Sequence, residues 1–243
     1  MRYAILLAAG LAALPLGPAA AESAPPVAVE LFTSQGCYSC PPAEAYLGEL
    51  AGRADVIALE WHVDYWDDLV YGGAGKWRDP FSLAAATARQ RAYNAAITGA
   101  PRAYTPQMIV AGAAGMVGSD RGEVESAIRK ARKAAPAASL AVEPHGDGQI
   151  VVSATGAATT LWRVDFVKTH VTEVLRGENK GKRLVSHHIV RAKTRLGATS
   201  GKPIATTAPG EGLGCAILAQ VGETGPVLAA SYCPGSGPAR PPA

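Results

Sequence analysis

The sequence has little of what marks nucleic-acid-binding or membrane proteins. Its formal net charge is only +3 over 243 residues, which is too small to attract a nucleic acid. Lysine and arginine are scattered apart from one cluster at Lys180 to Arg183, and no basic stretch is interleaved with aromatic residues as a nucleic-acid interface requires. Beyond the N-terminal segment, no apolar run is long enough to cross a membrane. These absences predict no nucleic-acid partner and no membrane span.

Several motifs of enzymes and cofactor-binding proteins are missing too. The Gly-x-Ser-x-Gly motif of hydrolases does not occur. The segment from Gly177 to Arg183 contains glycine and basic residues, but its spacing does not fit a phosphate-binding loop. His187 and His188 are adjacent, so on a strand their side chains would point to opposite faces, which argues against shared metal ligation. No organic cofactor is predicted.

The N-terminus has the pattern of a secretory signal peptide. Arg2 supplies a positive charge, Ala4 to Leu16 form a short apolar run, and small residues lead up to Ala21. We expect residues 1–21 to be removed and the mature protein to be periplasmic or secreted. The alternative is a retained membrane anchor.

Residues 26–135 alternate between strand-like and helix-like segments. Val27 to Phe32 and Asp55 to Val63 are rich in branched and apolar residues, as buried strands are. Ser82 to Ile97 is an alanine-rich helical segment, and Thr105 to Ala111 is a further strand. The order reads β-α-β-α-β-β-α, which predicts an α/β domain whose sheet has parallel strands.

Beyond this region helical periodicity disappears. Residues 138–233 contain strand-like runs separated by turn signals, and Trp162 to Val167 alternates between apolar and charged side chains. We therefore predict a second, all-β domain that resembles a sandwich. Residues 234–243 are rich in proline and glycine and are predicted to form a disordered tail.

The four cysteines form two pairs of close neighbours. Thiols tend to be oxidised outside the cytoplasm, and the spacing favours a Cys37–Cys40 bond and a Cys215–Cys233 bond. Cys215 and Cys233 flank the turn at Gly222–Gly225 at nearly equal distances, so a hairpin would place them opposite each other. We predict a structural disulfide there. The alternative is two free buried thiols.

The chemistry is predicted at the Cys-Tyr-Ser-Cys motif, which follows a strand and opens a helix. A helix N-terminus favours a thiolate. The spacing lets Cys37, the more exposed thiol, attack a substrate disulfide and lets Cys40 resolve the mixed disulfide. We predict thiol–disulfide exchange with protein thiols or disulfides as partners. Two alternatives stay open: an inert structural disulfide, and a copper site made of Cys37 and Cys40 with His62 as the candidate third ligand.

The dithiol unit, followed by Tyr104-Thr105-Pro106 at the start of a later strand, resembles the thioredoxin superfamily. The resemblance implies a thioredoxin-like α/β domain followed by the all-β domain. It also implies a cis peptide bond before Pro106, beside the dithiol. The sequence departs from ordinary thioredoxins because no tryptophan precedes Cys37 and no proline separates the two cysteines.

A narrower resemblance covers nearly the whole mature chain. Four segments are similar to the secreted family that carries domain of unknown function 1223, a thioredoxin-like family with a β-rich C-terminal part and no settled biochemical function. The segments are Val29–Cys37, His62–Asp67, Asp79–Phe81 and Tyr104–Gln107. The sequence departs from the family pattern at Leu69 to Arg78, where a longer glycine-rich loop replaces a tighter connection.

Glu30 is predicted to take part in the chemistry. It lies in an otherwise apolar strand upstream of the dithiol, and many thioredoxins carry a buried acid on the equivalent strand. We predict that Glu30 exchanges a proton with Cys40, since burial would raise its pKa towards the range that suits proton transfer. The alternative is a solvent-facing or purely structural Glu30.

The substrate-binding groove is predicted around the dithiol. Thr105 and Pro106 would contact the substrate through their backbone, and Tyr38 lies between the two cysteines. Asp64 and Trp66 follow the C-terminal end of a predicted strand, where ligand sites of open α/β sheets gather. The alternative for these last two is a packed cluster without a binding role.

Overall fold

The computed structural model describes residues 25–69 and 75–238. The predicted signal peptide, residues 1–21, lies outside the described residues, as do residues 239–243 of the predicted tail. No helix in the described ranges is long and apolar enough to cross a membrane.

Helices are confined to the first half of the described chain. The helices are α1 (Pro41–Ala51), α2 (Ala84–Thr98) and α3 (Arg121–Lys133). The first strands, interleaved with them, are β1 (Val27–Thr33), β2 (Val56–His62), β3 (Gln107–Val110) and β4 (Ala114–Val117). The later strands are β5 (Ala138–His145), β6 (Gln149–Gly156), β7 (Thr160–Glu173), β8 (Arg183–Ala198), β9 (Ile204–Thr207), β10 (Leu213–Gln220) and β11 (Val227–Tyr232). This order agrees with the predicted β-α-β-α-β-β-α succession followed by strands.

Most strands belong to one mixed sheet in the order β11-β10-β7-β8-β2-β1-β3-β4. β1 pairs in parallel with β2 and antiparallel with β3. β2 meets β8 in parallel at Glu60 and Ile189. The C-terminal strands therefore extend the N-terminal sheet, which differs from the predicted division into two separate domains. Pairing with β8 also covers the edge of β2, which would otherwise expose unpaired backbone groups.

The remaining strands form a second layer that packs on the C-terminal part of the main sheet. β5, β6 and β9 form a separate three-stranded sheet. Its apolar side chains, such as Ile150 and Val152, pack against Ile217 of β10 in a third core. Cys215 and Cys233 are bonded within this core, with 5.3 Å between their Cα atoms. The predicted pairing of these two cysteines is confirmed.

The two faces of β1 are buried in different cores, because alternate side chains of a strand point to opposite sides. Ala28 and Phe32 pack in the core that contains residues of α2. Val29 and Leu31 pack in the core that contains residues of α1 and α3. The face on which a polar residue of β1 or β2 lies thus decides which helix it can reach.

Candidate dithiol site

The dithiol lies where β1 gives way to α1. Cys37 is in the connecting loop, and Cys40 is the N-cap residue of the helix. The two cysteines form a disulfide with 5.4 Å between their Cα atoms, so the predicted pairing is confirmed. A short turn holds them, since the Cys40 N–H donates to the Cys37 carbonyl at 3.2 Å.

The start of α1 has few N–H groups to offer a thiolate. Pro41 and Pro42 occupy the first positions and have no N–H. The next two N–H groups both donate to the Cys40 carbonyl. Stabilisation of a Cys37 thiolate would therefore come from the helix field and from the Ser39 hydroxyl, which lies 3.4 Å from Cys37 Sγ.

Both cysteines are completely buried, with 0% of their surface exposed. The prediction that Cys37 is the more exposed thiol is wrong. Residues 174–182, the connection between β7 and β8, lie over the dithiol loop, and we call this segment the strap. Asn179 of the strap donates to the carbonyls of Gln35 and Cys37 at 2.9 Å each. Sequence periodicity could not reveal this contact, because the partners are more than a hundred residues apart.

Glu30 is buried, but the structure does not bring it to the dithiol. It lies on the α2 face of the sheet, where both of its carboxylate oxygens accept from the Arg89 guanidinium at 2.7 and 2.8 Å. The Tyr93 hydroxyl donates to the same carboxylate at 2.5 Å. Since Cys40 begins the helix that packs on the opposite face, the predicted proton exchange between Glu30 and Cys40 is wrong on geometric grounds.

Glu44 is the buried acid on the dithiol side. It lies one helical turn beyond Cys40, and its N–H donates to the Cys40 carbonyl at 3.1 Å. Its carboxyl accepts from the Thr33 hydroxyl at 2.7 Å. Burial, reinforced by the nearby charge of Glu60, raises the pKa of Glu44 to about 8. The Glu44 carboxyl is therefore mostly protonated at neutral pH.

Three buried side chains, those of Asp79, His62 and Glu60, form a hydrogen-bonded series beside Glu44. His62 Nδ1 is 2.7 Å from Asp79 Oδ2, and His62 Nε2 is 2.9 Å from Glu60 Oε1. Burial disfavours the imidazolium, but the carboxylates of Asp79 and Glu60 outweigh burial and raise the pKa of His62 well above its usual value. Asp79 also accepts from the Gln35 N–H at 2.8 Å, and this bond connects the three residues to the dithiol loop.

His62 does not form a metal site with the cysteines in this arrangement. Both of its ring nitrogens are occupied by carboxylates, so neither is left to ligate a metal. Within the described ranges, no three His, Cys, Asp or Glu residues are grouped to hold a metal ion. The alternative copper site of Cys37, Cys40 and His62 is therefore not brought together.

Trp66 connects the dithiol loop to the predicted groove. Its indole N–H donates to the Thr105 hydroxyl at 2.8 Å. A Cβ placed on Gly36, next to Cys37, would lie 3.6 Å from Trp66 Cβ. The Thr105–Pro106 bond is cis, as predicted. Trp66 thus lies between the Thr105–Pro106 segment and Gly36 of the dithiol loop.

The other two predicted substrate-binding residues differ in their surroundings. Tyr38 is 64% exposed, and its N–H donates to Glu178 of the strap at 2.9 Å. Asp64 is bound to the first turn of α2, where its carboxylate accepts from the Thr87 hydroxyl at 2.5 Å. Tyr38 is exposed to solvent, whereas Asp64 is hydrogen-bonded to a side chain of α2 on the other face.

Sequence reasoning missed Glu44, Glu60 and Asp79. Glu44 lies four residues after Cys40, on a helix that is predicted from the spacing of its apolar residues. Side chains four residues apart share one face of a helix, so this interval could have placed Glu44 on the face of Cys40. Asp79 lies in one of the segments that carry the family resemblance. Nothing local in the sequence marks Glu178 and Asn179 of the strap.

Comparison with known proteins gives a family and two similar structures. A family model described as "Protein of unknown function (DUF1223)" matches residues 28–218. The X-ray crystal structure of protein AGR_C_4864 from Agrobacterium tumefaciens is 26% identical, with a TM-score of 0.70, and the match covers 85% of this chain and 93% of that chain. HBP35 of Porphyromonas gingivalis is 11% identical, with a TM-score of 0.56 over 90% of this chain and 78% of that chain, a likeness of fold alone.

No curated protein is significantly similar in sequence. The family match spans well over half of the chain and agrees with the resemblance carried by the four motif segments. This protein belongs to the DUF1223 family of proteins of unknown function.

Proposed function

We propose that this protein is an exported thiol–disulfide oxidoreductase of thioredoxin-like fold that acts through Cys37 and Cys40. The observation that carries the proposal is the disulfide at the N-terminus of α1, directly after a buried strand. The order β2-β1-β3-β4, with β3 antiparallel to β1, is the arrangement expected of a thioredoxin-like half. The signal-peptide pattern of residues 1–21 supports export, and an oxidising compartment suits the chemistry.

The exchange reaction conserves atoms and electrons. In the reduced protein, the Cys37 thiolate attacks one sulfur of a substrate disulfide and expels the other sulfur as a thiolate. Cys40 then loses its proton and attacks Cys37 Sγ, so the Cys37–Cys40 bond forms and the mixed disulfide breaks. Two electrons pass from the dithiol to the substrate. With a partner of lower reduction potential, the same steps run in reverse.

We assign the proton of Cys40 to Glu44: the protonated carboxyl donates it when the Cys37–Cys40 bond opens, and the deprotonated minority accepts it when the bond forms. The two residues are joined through a backbone hydrogen bond one turn apart. The pKa of Glu44, about 8, is close to the ordinary thiol pKa of about 8.5, which suits Glu44 to exchange a proton with a thiol in either direction. The buried His62 imidazolium and its carboxylates lie beside Glu44, where the imidazolium lowers and the carboxylates raise the pKa of Glu44.

The test is a measured reduction potential for the Cys37–Cys40 pair together with catalysed reduction of a disulfide-containing protein. We expect a potential above roughly −270 mV, in the range of exchange proteins. We also expect catalysis that is lost in Cys37→Ser and kept in Cys215→Ala/Cys233→Ala, the matched control for a disulfide remote from the site. Absence of catalysis from the wild-type protein in both directions would overturn the proposal.

Complete burial of both cysteines favours a second candidate, an inert structural disulfide. An inert bond would hold the dithiol loop to α1 without exchanging with partners. A potential below roughly −300 mV would identify this case. The same measurement therefore separates the two candidates.

A further inference from the structure

The strap is fastened to the dithiol loop at two consecutive residues. Asn179 donates both of its amide hydrogen bonds to the loop, one to the Gln35 carbonyl and one to the Cys37 carbonyl. Glu178 accepts from the Tyr38 N–H at 2.9 Å. The loop that carries the attacking thiol is thus held by side chains from the far half of the chain.

The internal hydrogen bonds of the strap allow it to move as a unit. It is closed on itself, because the Val174 N–H donates to the Lys182 carbonyl at 2.9 Å and the Gly181 N–H donates to the Val174 carbonyl at 2.7 Å. Leu175 is 67% exposed, and Val174 carries the one buried apolar side chain of the strap. A hairpin tip with few buried apolar contacts has a low free energy of local opening.

We propose that Glu178 and Asn179 are specificity-determining residues, which hold the strap closed over the Cys37–Cys40 bond and exclude small thiols until a polypeptide partner displaces it. This inference rests on the proposed exchange function. Because no part of either cysteine is exposed while these hydrogen bonds stand, a thiolate can reach Cys37 Sγ only after the cover shifts. Attack on a disulfide requires such access to the sulfur.

The exposed apolar side chains at the strap indicate a polypeptide rather than a small thiol as the partner. Tyr38 and Leu175 are among the most exposed large apolar residues of the described chain, at 64% and 67%. Tyr38 is joined to the strap through Glu178, and Lys182 lies 4.3 Å above the Tyr38 ring. A partner segment that carries an apolar residue next to its cysteine would contact Tyr38 and compete with the strap for it.

The experiment measures the rate at which dithiothreitol reduces the Cys37–Cys40 bond in the oxidised protein, followed by alkylation and mass spectrometry. We expect Asn179→Ala and Glu178→Ala to be reduced at least roughly tenfold faster than wild type, since the first loses two and the second loses one of the hydrogen bonds that close the strap. Lys180→Ala is the matched control, because Lys180 is an exposed residue of the same strap, and it should stay within about twofold of wild type.

Hydrogen exchange supplies a readout that does not depend on catalysis. The Tyr38 amide should exchange faster in Glu178→Ala than in Lys180→Ala, with unchanged protection in β1 and α1. The Glu178 side chain is partly exposed, so Glu178→Ala should fold normally. It keeps the inference testable if the Asn179 variant fails to fold. Equal reduction rates in wild type and both strap variants would overturn the inference.

Selectivity is tested with two oxidants of the reduced protein, oxidised glutathione and a disulfide-bonded peptide with a leucine beside its cysteine. Wild type should prefer the peptide, and the preference should shrink in both strap variants. If the variants are reduced faster but pass no electrons to either oxidant, the proposed function fails. If exchange proceeds with equal rates and preferences in all variants, the strap inference fails and the function stands.

Discussion

Arg89 and Glu30 form a bidentate ion pair inside the protein, on the α2 face of β1. The guanidinium Nε and Nη2 lie 2.7 and 2.8 Å from the two carboxylate oxygens, and both side chains are almost fully buried. The same guanidinium donates to the Glu223 carbonyl and to the Gln220 side chain. The pair therefore ties α2 to the neighbourhood of β10 and has a structural role.

Breaking this pair should destabilise the protein without changing its redox chemistry. Arg89→Met leaves the Glu30 carboxylate buried and unpaired, which typically costs about 3–5 kcal/mol of unfolding free energy. Chemical denaturation measures the loss, and the reduction potential of Cys37–Cys40 should stay at its wild-type value. A change in the Cys37–Cys40 reduction potential of folded Arg89→Met protein would show that Glu30 influences the dithiol after all.

Glu44 should make stability depend on pH. Its pKa rises from 4.5 in the unfolded chain to about 8 in the folded protein, so the folded state binds the extra proton between these values. The stabilisation is complete below about pH 4.5 and is lost as pH rises towards 8, with a slope of at most about 1.4 kcal/mol per pH unit.

Glu44→Gln is the variant that isolates this effect, because glutamine can still accept from the Thr33 hydroxyl. The difference in unfolding free energy between wild type and variant should change steadily from pH 5 to pH 8. Wild type should become less stable relative to the variant as pH rises. His62 contributes to the pH dependence of both proteins, and its charge interaction with Glu44 forms part of the measured difference. A difference that does not vary with pH would show that Glu44 titrates normally.

The sequence predicted the dithiol and its local frame but not what surrounds it. The Cys-x-x-Cys spacing, the apolar run of β1 and the proline at residue 106 are local signals, and each led to the element that the structure contains. Glu30 was misassigned because a buried strand with apolar residues on both sides does not reveal which face meets which helix.

Long-range contacts explain the other misses. The parallel meeting of β2 with β8 joins Glu60 to Ile189, and no periodicity within either segment encodes that partner. Asn179 reaches the Cys37 carbonyl across 142 positions. Burial of the dithiol and continuity of the sheet both depend on contacts between these distant segments. Neither could therefore be derived from the local pattern of residues.

Trp66 should position the Thr105–Pro106 segment for a partner. Trp66→Phe keeps the aromatic ring and removes the indole N–H that donates to Thr105, which should cost about 1 kcal/mol of stability. Exchange with a disulfide-containing protein should slow severalfold. Trp162→Phe is the control, because it loses a comparable 3.0 Å bond to the Gly222 carbonyl away from the dithiol and should leave exchange unchanged. Equal effects of the two variants on exchange would deny Trp66 a positioning role.

The Cys215–Cys233 disulfide should act on stability alone. It links β10 to the residue that follows β11, closes a loop with a sequence separation of 18 and is buried in the third core. Cross-linking a loop of this size stabilises a protein by about 3 kcal/mol, chiefly by restricting the unfolded chain. Cys215→Ala/Cys233→Ala should therefore lower the unfolding free energy by about that amount, measured by denaturation under oxidising conditions. Because β7, β8 and β2 separate β10 from β1 in the main sheet, the potential and the exchange rate of Cys37–Cys40 should match wild type. If exchange falls in the folded double variant, the second disulfide takes part in electron transfer.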